Sequence, residues 1–247
     1  MPIDFDYIKK RFEKSMQDYD NNALVQKNLA KKMTKTLTKF ENNFDSILEL
    51  GVGTGILTKC LSSTLRYNNY FGNDLIEKSE KFLKNVIPNA NFISGNALEL
   101  DFSTKMDLII SNAMFQWFDD IKQAISLIKK NLKKGGYLTF STFAPDNFFE
   151  FKSITGLTLD YKSIDELKNI LTTLGFEVLY CENYKETLYF NTSLEILFHM
   201  KKTGVNSLNY KNWNIKEIKN FCDEYNKQFD KPQLTYSPII IIAKLVK

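Results

Sequence analysis

The side chains best placed for chemistry fall at the ends of short apolar runs. Ile47 to Gly55 reads I-L-E-L-G-V-G-T-G: Ile47, Leu48 and Leu50 have the character of a buried strand, Glu49 interrupts them, and Gly51, Gly53 and Gly55 follow at alternate positions. Glycines so spaced let a backbone turn tightly and approach a ligand without Cβ interference. Helical apolar spacing from Ile56 to Leu65 then makes the turn open a helix N-terminus. That is the geometry of a nucleotide site, and two ligand chemistries fit it. A dinucleotide loop reads G-x-G-x-x-G and lays a pyrophosphate on the helix. Here the spacing is G-x-G-x-G behind an acid, which repels a pyrophosphate and suits a ligand carrying an ammonium and a sulfonium.

Further polar residues recur at later strand ends. N-Y-F-G-N-D closes on Asp74, about twenty residues beyond the glycines, where an acid accepts from ribose hydroxyls or else caps the helix near Ile76. Leu75 is then set to cover one face of an adenine. N-F-I-S-G leads to Asn96 and Ala97, with the Asn96 side-chain carbonyl available as an acceptor. M-D-L-I-I-S-N runs into A-M-F-Q-W-F, so Ser111, Asn112, Gln116 and Trp117 emerge together at a carboxyl end, where open α/β sheets bind ligands. Nucleophile and base pairs are lacking. His199 is the only histidine and sits among Leu197, Phe198 and Met200, which makes it structural or surface and leaves no Ser-His-Asp triad or histidine-based metal site. Cys60, Cys181 and Cys222 are odd in number and far apart, and read as buried thiols.

The elements that must position these residues alternate. Of 247 residues, 43% are hydrophobic, enough for one large domain with a full core. Lys and Arg number 33 against 29 acids, and the net charge of +4 is too slight and dispersed to point to a nucleic acid. No apolar run reaches membrane-spanning length and the N-terminus lacks a signal-peptide core, so a cytoplasmic protein without a membrane partner is expected. Two helices are predicted first, about Asp4 to Met16 and Asn22 to Phe40, with Tyr19 in the joint and Gln26 on the second helix's apolar stripe. Strands follow to Ser111, then a helix from Ile121, a strand at Tyr137 to Phe143, an aromatic loop at P-D-N-F-F-E-F-K, and a helix at Ser163 opened by a capping box. A long sixth strand spans Phe176 to Phe190, two helical segments cover Thr192 to Lys202 and about Ile215 to Phe229, and L-T-Y-S-P-I-I-I-I-A-K-L-V makes a buried last strand.

E-L-G-V-G-T-G at 49 to 55 resembles the first motif of the class I S-adenosylmethionine-dependent methyltransferases. Arg11-Phe12, Tyr19-Asp20, Ala23 and Gln26, then S-N-A-M-F-Q-W at 111 to 117, F-S-T-F-A-P-D at 140 to 146, M-K-K-T-G-V-N-S-L at 200 to 208 and L-T-Y at 234 to 236, narrow the resemblance over nearly the whole chain. Together they are similar to the malonyl-acyl-carrier-protein O-methyltransferases of biotin synthesis. Val52 stands where that family commonly has a cysteine and Asn96 where an acid is common.

The resemblance implies a Rossmann-like α/β fold: a seven-stranded, mostly parallel sheet with its last strand antiparallel, built as a single domain. N-terminal helices occupy 1–43, a cofactor-binding core 44–190, a helical lid 191–231 and the last strand 232–247. It implies S-adenosylmethionine held by Gln26, Glu49, Gly51, Gly53, Gly55, Asp74, Leu75, Asn96, Ala97 and Asn112. The partner is malonyl-acyl carrier protein or the coenzyme A thioester, with Tyr19, Ser111, Gln116, Trp117, Phe143, Lys201 and Tyr236 positioning substrate. A carboxylate is already ionised at pH 7, so no general base is expected. Three other readings share parts of the pattern: a methyltransferase of another small molecule such as a quinone, a nicotinamide-dependent oxidoreductase, and a non-catalytic adenosylmethionine-binding module.

Overall fold

The computed structural model describes residues 5–204 and 213–247. Val205 to Leu208 of the M-K-K-T-G-V-N-S-L block and the Arg11 side chain lie outside the described residues. Helix α1 (Phe5–Asn22) is continuous through D-Y-D-N-N, and the chain breaks at Ala23 before α2 (Leu24–Leu37). Tyr19 is therefore inside a helix and not in a joint. Met16 and Tyr19 are both buried, and this extends the apolar face by another turn against the poor helix propensity of Asp and Asn.

The chain then alternates as β1 (Asn43–Leu50), α3 (Ile56–Ser62), β2 (Arg66–Asp74), α4 (Ser79–Val86), β3 (Asn91–Ser94), β4 (Met106–Ser111), α5 (Ile121–Ile128) and β5 (Leu132–Phe143). Next come α6 (Phe149–Thr155), α7 (Ile164–Thr173), β6 (Phe176–Asn183), β7 (Glu186–Tyr189), α8 (Ser193–Lys202), α9 (Ile215–Gln228), β8 (Gln233–Tyr236) and β9 (Pro238–Leu245). Seven strands form one sheet in the order β3-β2-β1-β4-β5-β9-β6. The first five pair in parallel, and β9 runs antiparallel between β5 and β6. Ile239 to Ile242 are fully buried there, as an interior strand covered on both faces requires. Strand order reverses between β1 and β4, which opens a crevice at their carboxyl ends.

Two expected strands are each broken in two. Phe176 to Phe190 divides into β6 and β7, and the C-terminal run divides at Ser237 into β8 and β9; β7 and β8 pair with each other as a separate antiparallel ribbon. Pro238 has no N–H to extend a ladder, and the Ser237 backbone turns aside to bond Ala144 and Asn147. Helices α8 and α9 lie between the two strands of this ribbon. The aromatic block expected as a loop is a turn over its first half and enters α6 at Phe149; Phe148 and Phe151 are buried and Phe149 alone of the three is exposed. Glu150 of α6 accepts from the Thr235 N–H at 2.9 Å, the Thr235 hydroxyl at 2.6 Å and Gln233 Nε2 at 3.0 Å, which ties α6 to β8. Ser163 and Glu166 close the expected capping box on α7. The three cysteines are free and half-buried, not fully buried. Among the described residues no helix is long and apolar enough to cross a membrane.

Candidate cofactor and substrate cleft

An open cleft lies over the β1 and β4 ends, in the place where open α/β sheets bind ligands, and is continuous with solvent. The glycine turn forms one wall. Gly51 and Gly53 have φ of 74° and 54°, and a Cβ on Gly51 would sit 3.0 Å from Met114 Cγ. The turn is braced from β2: Gly51 and Val52 donate their N–H groups to the Asn73 carbonyl at 2.9 and 3.1 Å. Asp74 extends this, with Oδ2 accepting from the Gly53 N–H at 2.7 Å and Oδ1 from the Ile76 N–H at 2.8 Å. The capping role is thus real, and the same carboxylate lines the cleft with lone pairs to spare. Burial pushes its pKa up, while the two backbone donors pull it back.

Leu75, Asn96 and Ala97 line the floor beside it. Asn96 is more committed than expected: Oδ1 accepts from the Leu98 N–H at 3.0 Å and Nδ2 donates to Glu99 at 3.2 Å, which caps a short 3₁₀ turn.

At the end of β4 the expected cluster separates. Ser111 points into the sheet and donates to the Leu50 carbonyl at 2.7 Å. Asn112 lines the cleft, held by Nδ2 donating to the Gln26 carbonyl at 3.1 Å and by Oδ1 accepting from Ser141 Oγ at 2.8 Å. Ser141 Oγ also accepts from the N–H of Ala113, a non-glycine residue at φ 52°. The hydroxyl therefore holds a left-handed turn that turns Met114, Trp117 and Phe118 into the cleft. Gln116 folds back instead, donating to the Ala113 carbonyl at 2.6 Å, and lines a smaller separate hollow with Tyr161 and Lys162.

The opposite wall comes from the N-terminal helices. Lys9, Phe12 and Tyr19 of α1 and Gln26 of α2 face the glycine turn. Asp20 fastens α1 to it by accepting from the Thr54 hydroxyl at 2.5 Å and pairing with Lys59 at 3.3 Å. Burial drives the Tyr19 pKa far above that of a free phenol, so the hydroxyl stays protonated and can act only as a neutral hydrogen-bonding group. Gln26 is 4% exposed and its Oε1 has no protein partner.

Glu49 is not where its spacing suggested. It lies wholly buried behind the turn, with Oε2 accepting from the hydroxyls of Tyr70 and of Thr58, the latter at 2.8 Å, and it does not reach the cleft. Desolvation raises its pKa to about 7 despite these two donors. Gly55 caps the start of α3 in the left-handed region and is also off the cleft wall. Phe143 and Tyr236 are buried beside one another behind it, and Lys201 is exposed on α8. Sequence reasoning missed Lys9, Phe12, Met114, Phe118 and Ser141. Phe12 carried a signal in the N-terminal pattern; Ser141 gave none, because its role depends on a turn 28 and 29 residues away, at the end of a neighbouring strand.

The cleft suits S-adenosylmethionine on its own geometry. It pairs an acid and backbone turn on the nucleoside side with a buried acceptor lacking a partner, Gln26 Oε1, on the other. A buried acceptor in that state calls for a donor from a ligand.

A family model for a methyltransferase domain matches residues 48–140. A malonyl-acyl-carrier-protein O-methyltransferase from Calditerrivibrio nitroreducens is 37% identical over 95% of this chain and 95% of its own. One of the same name from Haemophilus influenzae is 34% identical over 98% of this chain and 95% of its own. Among solved structures, the YcgJ protein of Bacillus subtilis superposes with a TM-score of 0.61 at 15% identity, over 87% of this chain and 99% of that one. The N-methyltransferase NodS of Bradyrhizobium japonicum, bound to S-adenosylhomocysteine, gives 0.54 at 11% identity over 88% and 86%. Both likenesses bear on the fold alone.

Proposed function

This chain belongs to the malonyl-acyl-carrier-protein O-methyltransferase family, and from that premise we propose how its cleft carries out the methylation. It is an S-adenosylmethionine-dependent O-methyltransferase whose acceptor is the free carboxylate of a malonyl thioester on acyl carrier protein. When bound, S-adenosylmethionine supplies an electrophilic methyl on a sulfonium. Gly51, Gly53, Asp74, Leu75, Asn96, Ala97 and Asn112 hold it on the sheet side and Gln26 from above, while Glu49 and Gly55 shape the turn behind it.

A carboxylate with a pKa near 4 needs no base at pH 7, so the residues have orientation and water exclusion left to supply. Tyr19 and Trp117 are donors on the cleft wall, and Lys9 is the cation nearest at hand to answer acceptor charge. Phe12 and α1 close the mouth over the glycine turn. Helices α8 and α9 form a lid over the acyl arm, with the M-K-K-T-G segment at its edge; exposed Lys201 is placed there to meet an acidic carrier protein, not the reacting carboxylate. Ser111, Gln116, Phe143 and Tyr236 act behind the wall as its supports. The esterified product has lost a full charge, which fits it to apolar chain-elongating enzymes that exclude carboxylates. We propose that this step belongs to biotin synthesis in the cytoplasm and takes no nucleic-acid or membrane partner.

The observation that carries this reading is a cleft walled by the Asp74 carboxylate, neutral donors, one lysine and Gln26, with neither a histidine nor a cysteine among its lining residues. The test is to incubate the protein with S-adenosylmethionine and malonyl carrier protein and weigh the carrier. A gain of one methyl, released as methanol by an esterase, is expected. An unchanged carrier, with methyl transferred to a quinone or another acid, would overturn the substrate.

A further inference from the structure

Helix α2 has two unlike faces. Val25, Leu29, Ala30, Met33 and Leu37 are buried on its core side, and Gln26 lines the cleft. At 3.6 residues per turn, Leu24, Lys27, Asn28, Lys31 and Lys35 fall roughly 100–200° around the helix from Gln26, on the side turned away from the cleft. Leu24 is 52% exposed, Asn28, Lys31 and Lys35 are exposed, and Lys27 is half-buried. Lys27, Lys31 and Lys35 make a single i, i+4 row, and the helix has no acid to answer it. Among the described residues none of these three takes part in a salt bridge. Lys32, beside the row, does: it pairs with Glu182 at 2.8 Å and lies 3.7 Å from the centre of the Tyr184 ring.

Like charges at i, i+4 repel and weaken a helix, so the row does nothing for the element that bears it. The whole chain holds 33 basic residues to 29 acids, and a helix with four lysines and no acid departs from that balance. The substrate proposed above is an anion in two places: at the malonyl carboxylate, and at the phosphodiester that joins a carrier's thioester arm to its protein. The cleft has little net charge with which to draw it in, since Asp74 and Lys9 on its walls offset one another. Long-range attraction must then come from beside the cleft, and α2 is the wall element that carries it. Leu24 opens α2 next to Ala23, between Tyr19 and Gln26 of the cleft wall. The outer face is thus apolar at the cleft end and basic along its length, with an anchor to bury and charges to steer.

We propose that the outer face of α2, Leu24 with Lys27, Lys31 and Lys35, is the docking surface for the carrier protein, which meets it with an acidic face. The inference rests on the substrate proposed above. A helix is about 10–12 Å across, so a carrier seated there sends its arm over the Leu24 end and into the cleft.

The test measures binding of fluorescently labelled malonyl carrier protein to the full chain by anisotropy, with S-adenosylhomocysteine measured by calorimetry. The triple variant Lys27→Gln, Lys31→Gln, Lys35→Gln keeps the helix, since Gln and Lys have similar propensities. Its dissociation constant for the carrier should rise about tenfold at low salt, and the gap to the parent should close as salt is added. Affinity for S-adenosylhomocysteine should change by less than about 2-fold, and in the methyl-transfer assay KM for the carrier should rise with kcat unchanged. Leu24→Ser should weaken the carrier at every salt concentration. A matched triple at the exposed Lys122, Lys130 and Lys134, each to Gln, should leave both affinities as they are. Equal losses in the two triples, no loss in the α2 triple, or an α2 triple that loses a DNA duplex and keeps the carrier, would overturn the docking surface; the proposed function stands if the parent still methylates the carrier. A parent that neither binds nor methylates malonyl carrier protein overturns that function, and the docking surface with it.

Discussion

The Asp74 carboxylate and the Gly53 N–H meet at 2.7 Å across 21 residues of sequence, so the acid that ends β2 also sets the shape of the glycine turn after β1. Its other oxygen takes the Ile76 N–H. One carboxylate thus braces two backbone segments and forms part of the cleft wall.

Replacing it by alanine should release both segments. For Asp74→Ala we expect S-adenosylhomocysteine affinity to fall by about 10- to 100-fold, the loss of charge-assisted bonds worth roughly 1.5–3 kcal/mol. Asp74→Asn, which keeps one acceptor, should fall between. Titration calorimetry checks both, and an unchanged dissociation constant for the alanine variant would remove Asp74 from the site.

Glu49 makes a prediction in pH. Its folded pKa of about 7 lies above the ordinary 4.5, so between these values the native state keeps a proton that the unfolded chain has released. Stability contributed by this group therefore falls as pH rises through that window, by up to about 3 kcal/mol. His199 tilts the other way, its folded pKa of about 4 lying below 6.5, so its contribution falls as pH drops. The stability of Glu49→Gln relative to the parent should rise steadily from pH 4.5 to 7. Urea melts at pH 5 and pH 8 read this directly; parallel shifts at both would show that Glu49 does not titrate there.

Ser141 should matter as much as a cleft residue although it touches no ligand. Ser141→Ala removes the donor to Asn112 Oδ1 and the acceptor for the Ala113 N–H. A buried amide and a left-handed alanine lose partners together, at about 1–3 kcal/mol of stability. The expected outcome is a lower Tm with a raised KM for S-adenosylmethionine. An unaltered KM would mean the turn keeps its form without the hydroxyl.

Gly204 closes against α1. Its φ is +75°, and a Cβ there would lie 2.9 Å from Phe12 Cδ2. Gly204→Ala should displace the Phe12 ring, loosen α1 over the glycine turn and speed dissociation of S-adenosylhomocysteine, which stopped-flow fluorescence can follow. Pairing it with Phe12→Leu should restore the slower rate; a double variant no better than the single would place the fault in backbone strain.

What the sequence disclosed about this molecule was local. The turn at Gly51 and Gly53, the acid Asp74 at the end of β2 and the capping box at Ser163 are written in consecutive residues, and the structure has them where the spacing put them. The misreadings came where distant contacts decide. D-Y-D-N-N looks like a helix breaker, and only the burial of Tyr19 shows why it is not one. Glu49 carries the right spacing for a ligand but finds Tyr70 and Thr58 first. Ser111 and Gln116 share a segment with Asn112 and Trp117, yet one faces the sheet and the other turns back on Ala113. Pairing of β7 with β8 joins Glu186 to Tyr236, and neither segment alone announces it.

The interior place of β9 bears on how the chain is made. Strands β5 and β6 have each other's shared neighbour only once Pro238–Leu245 exists, since Thr139 pairs with Ile242 and Cys181 with Ile241. During synthesis from the N-terminus, both strands must wait with bare edges, the arrangement most open to mispairing with another chain. We therefore expect chains truncated before residue 238 to bind holdase chaperones, and full-length chains to be released from them once Pro238–Leu245 is free to pair.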